Sequence, residues 1–184
     1  MSKTKKKKSL IDIKWVVTIM IIAFLLSMLF SFVSNLVIPN VTIILSCLLV
    51  LFFILLGVLF DMIGVSSTTA DPIVFLAMAS RKIKSASLAI YLIQNSNKVS
   101  SICCDVVGDI CGILSGSGGA AIAIILTTNF HMNAVFSSLL VTSLIAALTI
   151  GGKALGKGVA INKANIILEK FSKLLYPFMN KVLK

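Results

Sequence analysis

The chain has 184 residues, of which 58% are apolar and 12% charged, with 17 basic against 6 acidic side chains and a net charge of +11. Soluble domains carry about a quarter charged residues and about half apolar ones. A mean hydropathy of +1.08 therefore excludes a water-facing fold for most of the chain and points to an all-α integral membrane protein.

Residues 1–14 are a basic segment with Lys3, Lys5, Lys6, Lys7, Lys8 and Lys14. An apolar stretch over 15–38 follows. Basic residues ahead of an apolar run resemble a secretion signal, but this run is too long for a signal core. Ser34-Asn-Leu-Val-Ile-Pro-Asn40 also lacks a small-x-small cleavage site, so a retained transmembrane helix is expected. Pro39-Asn40 predicts a tight turn into a second span over 41–64, which reaches Asp61 near its end. The hydroxyl cluster Ser66, Ser67, Thr68 and Thr69 comes next, closed by the turn signal Asp71-Pro72.

Apolar residues Phe75, Ala79, Ile83, Ala86, Ile90 and Ile93 recur at helical steps, predicting one amphipathic helix over 73–95 at the membrane surface, with Arg81, Lys82 and Lys84 mostly off that face. The third span, 102–126, contains no basic residue but holds Asp105 and Asp109. At i and i+4 their carboxyls share a face, and a carboxylate at membrane depth costs several kcal/mol unless hydrated, protonated or bound to a cation. Asp105 lies near the boundary, where hydration suffices, whereas Asp109 is about 12 Å deep at 1.5 Å per residue. For Asp109 a bound cation, a protonated acid or a partner inside the bundle is expected. Two anionic oxygen donors suit a hard ion such as Mg2+.

Gly108, Gly112 and Gly116, continued by Ala120, repeat every four residues and predict a ridge for close helix packing. The fourth span, 133–152, carries Thr149, which either adds a neutral ligand or bonds its own backbone carbonyl one turn back. Gly151–Lys157 reads as a flexible span exit with basic anchors. Residues 162–184 predict a second amphipathic helix that Pro177 should kink.

Every Lys and Arg falls in one of three segments: before the first span, between the second and third, or after the fourth. The positive-inside rule then makes that side, and both termini, cytoplasmic, in the inner or plasma membrane. The same asymmetry explains the +11 balance through attraction to the anionic leaflet, and no interleaved aromatics suggest nucleic-acid binding. Cys47, Cys103, Cys104 and Cys111 fit no zinc or redox spacing. The lone His131 lies away from every acid, and no nucleophile–base pair or Walker-type loop is present, so neither enzyme chemistry nor a cofactor is expected.

Lys153-Ala-Leu-Gly-Lys157, Ala164-Asn-Ile-Ile-Leu168 and Lys173-Leu-Leu-Tyr-Pro-Phe178 resemble the end of the transmembrane domain of the CNNM/CorB–CorC magnesium transporters. Ser67-Thr-Thr-Ala70 is similar to that family's Ser-Glu-Thr-Ala, and Val107-Gly-Asp109 falls where it has a Gly-Asn-Asn-like element. The likeness covers about 41–184. It departs from the family pattern at Thr68 and Thr149, each standing for a family Glu, and at Gly152, standing for a Pro. No CBS domain lies within these residues.

The resemblance implies three parts: a basic cytoplasmic N-terminus over 1–14, an added N-terminal span over 15–38, and a family-like transmembrane domain over 39–184. It also implies a homodimer with a cytoplasm-facing site for Mg2+ or Co2+. In this chain the expected ligands are Asp109 and Asp105, helped by Ser66, Ser67, Thr68 and Thr149. The functional expectation is a divalent-cation transporter or transport-domain homologue. Its rival is a non-transporting membrane anchor or regulatory module for a separately encoded partner, such as a CBS-domain protein.

Overall fold

A computed structural model describes residues 13–37 and 42–179, which form helices joined by short turns, with no β-strand among them. The long apolar helices are α1 (Ile13–Val37), α2 (Ile43–Thr69), α6 (Gly108–Phe130) and α7 (Ala134–Asn162). Between α2 and α6 come α3 (Pro72–Ser80), α4 (Lys84–Gln94), α5 (Ser96–Ser100) and a π-helical segment, Ser101–Val107, that runs straight into α6. The last helix is α8 (Ala164–Met179). Four helical stretches are long and apolar enough to cross a membrane. The 27 residues of α2 reach about 40 Å at 1.5 Å per residue, more than the ~30 Å of hydrocarbon. The chain is an all-α, multi-pass membrane protein. The expected Pro39-Asn40 turn and the basic segment over 1–12 lie outside the described residues.

α2, α6 and α7 pack against one another, and α1 leans on α6 from outside. Val50 and Ile54 of α2, Ile122 and Ala123 of α6 and Val141 of α7 form one core cluster. α1 is attached through Ile19 and Ala23, which meet Val106, Ile110 and Leu114. Its other tie is Lys98 Nζ, 4.7 Å above the Trp15 ring.

A second core lies at the end of the bundle that carries the basic residues. Ala70, Phe75, Leu88, Ala89, Leu92, Ala164 and Leu168 bring the end of α2 together with α3, α4 and α8. Leu88 and Leu168 are wholly buried there. Asn165 Oδ1 accepts from the Asp71 backbone N–H at 2.9 Å, which stitches the start of α3 to α8.

Four sequence expectations change. The span over 41–64 continues to Thr69, so the hydroxyl cluster is helical and not a loop. The single helix over 73–95 is two helices, broken at Arg81–Ile83 where Lys82 takes φ 58°. α4 then packs against α8, so much of its apolar face is inside protein. The fourth span runs on to Asn162, making Gly151–Lys157 helix where a flexible exit was expected. α8 continues through Pro177 to Met179, the last residue described, so the helix is not broken at that proline.

Candidate functional site

Gly57, Asp61 and Gly64 lie at i, i+4 and i+7 on α2 and share a face. A Cβ on Gly57 would sit 3.1 Å from Cys111 Cβ, and one on Gly64 would overlap Cys104 Sγ and lie 3.3 Å from Cys103 Cβ. These two glycines let α2 approach the π-helical segment and the start of α6. On the other side, a Cβ on Gly156 would be 2.8 Å from Val58 Cγ1 and 3.1 Å from Met62 Cγ. Glycines on two helices thus close a three-helix junction, and Asp61 is enclosed within it.

Asp61 is 3% exposed. Its Oδ2 has no hydrogen-bond partner among the described residues, and the nearest cation is Lys157 Nζ at 3.9 Å. The separation is that of an ion pair without a hydrogen bond, which leaves a dehydrated carboxylate only partly compensated. The Lys157 side chain is 54% exposed and so can reach solvent. Cys104 Sγ donates to the Asp61 backbone carbonyl at 3.6 Å and faces Ser100 Oγ at 3.7 Å. Lys153 Nζ lies beside Gly108, 3.5 Å from where its Cβ would be. The π-helical turn spanning Cys103–Cys104 is widened, which lets two consecutive side chains meet one glycine, Gly64. Single π-turns inside α-helices frequently mark functional positions.

The residues expected from the sequence are placed differently. Asp105 and Asp109 are both exposed, Asp105 in the π-helical segment and Asp109 in the first turn of α6. Neither forms an ion pair among the described residues. Ser66 and Ser67 are fully buried. Ser67 donates to the Gly64 carbonyl at 2.7 Å, while Ser66 Oγ has no partner among the described residues. Thr68 is exposed and donates to the Val65 carbonyl at 2.8 Å. Thr149 donates to the Ile145 carbonyl at 2.8 Å, so of the two readings it takes the back-bonded one, and its lone pairs remain available to accept.

Thr149 lines a recess of about 300 Å³ between α6 and α7, together with Gly112, Ser115, Gly116 and Thr142. Of the glycine ridge, Gly108 is buried in the junction, whereas Gly112 and Gly116 have open space where a Cβ would sit. Among the described residues, no three His, Cys, Asp or Glu side chains come together as a metal-holding group. A hard-cation site here would rest on one carboxylate with hydroxyl, carbonyl and water oxygens, a ligand set Mg2+ accepts.

Sequence reasoning placed Asp61 at a span end and went no further. The signal that could have singled it out is its position between Gly57 and Gly64, since two missing side chains on one face imply a close neighbour. Lys153 and Lys157 were read as interfacial anchors because the fourth span was ended too early.

Comparison with known proteins finds no matching family model, no matching curated protein and no matching solved structure.

Proposed function

We propose that the chain is a membrane divalent-cation transporter, or the transport domain of one, with Asp61 as the group that responds to the ion. One observation carries this reading: a carboxylate 3% exposed, with one oxygen unbonded among the described residues and a 3.9 Å contact to a half-exposed lysine. Buried ionisable groups in membrane helices are expensive and mark ion pathways. Lys157 holds the site in the absence of the ion. An entering Mg2+ or Co2+ takes the Asp61 oxygen and drives the ammonium out toward water. Asp105 and Asp109, exposed and unpaired, draw cations toward a molecule of net charge +11.

The test is Mg2+ and Co2+ flux into proteoliposomes carrying an ion-sensitive dye. Asp61→Asn should cut the rate by about tenfold or more, equivalent to ~1.4 kcal/mol. Asp105→Asn and Asp109→Asn should lower it less and mainly at low ion concentration. Wild-type flux by Asp61→Asn, or no flux by the wild type, removes the proposal.

A second reading is a non-transporting anchor or regulatory module. It is favoured by an exposed flank carrying Asp105 of the π-helical segment, Asp109 in the first turn of α6 and Gly116 further along that helix. A second copy, giving a homodimer, or a separately encoded partner would cover that flank. Cysteine cross-linking from Gly116→Cys distinguishes the two, because a homodimer gives a product of twice the chain mass.

A further inference from the structure

The corner between α3 and α4 combines features that the ion site leaves unexplained. α3 reads Pro-Ile-Val-Phe-Leu-Ala-Met-Ala-Ser and contains no charged residue. Phe75, 1% exposed, anchors it to the second core, yet Ile73 is 72% and Leu76 56% exposed. The helix starts three residues after α2 ends at Thr69, so it lies where a membrane-spanning helix leaves the bilayer. A recess of about 410 Å³ opens there, lined by Ile73, Val74, Ala77, Met78, Arg81 and Ile83. Arg81 lines it, Lys82 and Lys84 follow within three residues in sequence, and no acidic residue occurs from 72 to 94. None of these three cations forms an ion pair among the described residues. Asp71, the nearest acid in sequence, caps the opposite end of α3 by accepting from the Ile73 N–H at 2.9 Å.

The backbone at Lys82 is the sharper clue. Lys82 N–H bonds the Ala79 carbonyl at 2.9 Å and Ile83 N–H bonds the Met78 carbonyl at 3.2 Å. With Lys82 at φ 58°, this is the Schellman ending of a helix, in which the left-handed position is normally glycine. The accompanying apolar contact of that motif falls on Ile83 and Met78, two walls of the recess. A lysine here works against the backbone's preference, so its charge needs a reason beyond ending the helix.

We propose that this corner is a binding site for an anionic phospholipid. The acyl chain lies against Ile73, Val74 and Met78, and the phosphate is held by Arg81, Lys82 and Lys84. An apolar recess lined by Arg81, with Lys82 and Lys84 adjacent in sequence and none of the three ion-paired among the described residues, matches both halves of such a lipid. Inorganic phosphate would leave the recess unused, and a neutral lipid would leave the cations unused.

The experiment uses the full chain with Trp15→Phe and Ile73→Trp, so that one tryptophan reports from the recess. Brominated phosphatidylglycerol in neutral detergent micelles should quench it at lower mole fraction than brominated phosphatidylcholine does. Arg81→Gln with Lys84→Gln should weaken the phosphatidylglycerol response by about tenfold or more, from ~1 kcal/mol per basic side chain near an anionic surface. Lys82→Gly is the decisive variant. It should weaken that response about fivefold while melting at the same or a higher temperature, since glycine relieves the left-handed backbone. Replacing Lys3, Lys5, Lys6, Lys7 and Lys8 by Gln should leave the quenching midpoint unchanged. Equal quenching by both lipids, loss of quenching through competition by inorganic phosphate alone, or an unaltered response in Lys82→Gly overturns the proposal.

Discussion

Replacing Asp61 by asparagine should separate stability from function. At 3.9 Å from Lys157 Nζ, a pair at an effective dielectric near 20 would attract by about 4 kcal/mol. Lys157 is 54% exposed, so solvent screens that attraction toward the ~1 kcal/mol typical of exposed pairs. Against it stands the dehydration of a carboxylate that is 3% exposed, an effective penalty of several kcal/mol. Asparagine keeps the shape and removes the charge, with roughly 1–3 kcal/mol still charged for an amide lacking a partner. The terms nearly offset, and Asp61→Asn should lie between neutral and about 2 kcal/mol more stable than wild type.

Lys157→Ala should behave oppositely. It strips the only cation within 4 Å among the described residues from a buried charge and should destabilise by up to about 3 kcal/mol. Unfolding by denaturant in neutral detergent measures both variants, and the double variant Asp61→Asn/Lys157→Ala should recover most of the loss. If Asp61→Asn destabilises as much as Lys157→Ala, the pair is an ordinary structural ion pair. Asp61 then has no ion-handling role to account for its burial.

Four other substitutions test the packing and the capping of α3. Gly64→Ala should destabilise by roughly 1–3 kcal/mol, because its Cβ overlaps Cys104 Sγ. Gly112→Ala, with open space at that point, should be neutral or stabilise the helix by up to about 1 kcal/mol; parallel melting curves decide, and adding Cys104→Ala should partly rescue Gly64→Ala. Asp71→Ala removes the cap on α3 and should cost about 1 kcal/mol, read as faster hydrogen exchange at the start of α3. Leu88→Ala empties a fully buried position in the second core and should cost about 2–5 kcal/mol. Protease accessibility of α4 and α8 should rise in that variant while the four long helices stay protected.

Fold class and the number of long apolar helices are legible in the amino-acid sequence. The reason is that crossing hydrocarbon is a demand on composition and length, which each segment meets locally. It also marks Asp109 and Asp105 as anomalous, and the structure leaves both exposed and without an ion pair among the described residues, in the first turn of α6 and in the π-helical segment. Helix ends were less legible. The hydroxyls of Ser67, Thr68 and Thr69 look like a loop until they bond carbonyls one turn back, and Lys153 and Lys157 look like a boundary although α7 continues beneath them. The break at Lys82 runs against local preference, and the sequence offers no glycine to announce it.

Only the tertiary structure decided which carboxylate is enclosed. The burial of Asp61 depends on glycines at 57 and 64 meeting the π-helical segment and the start of α6, and on Gly156 meeting Val58 and Met62. Those approaches join residues about 40 to 100 positions apart. No local pattern encodes them, because a missing side chain shows where a neighbour can come close but not which neighbour does.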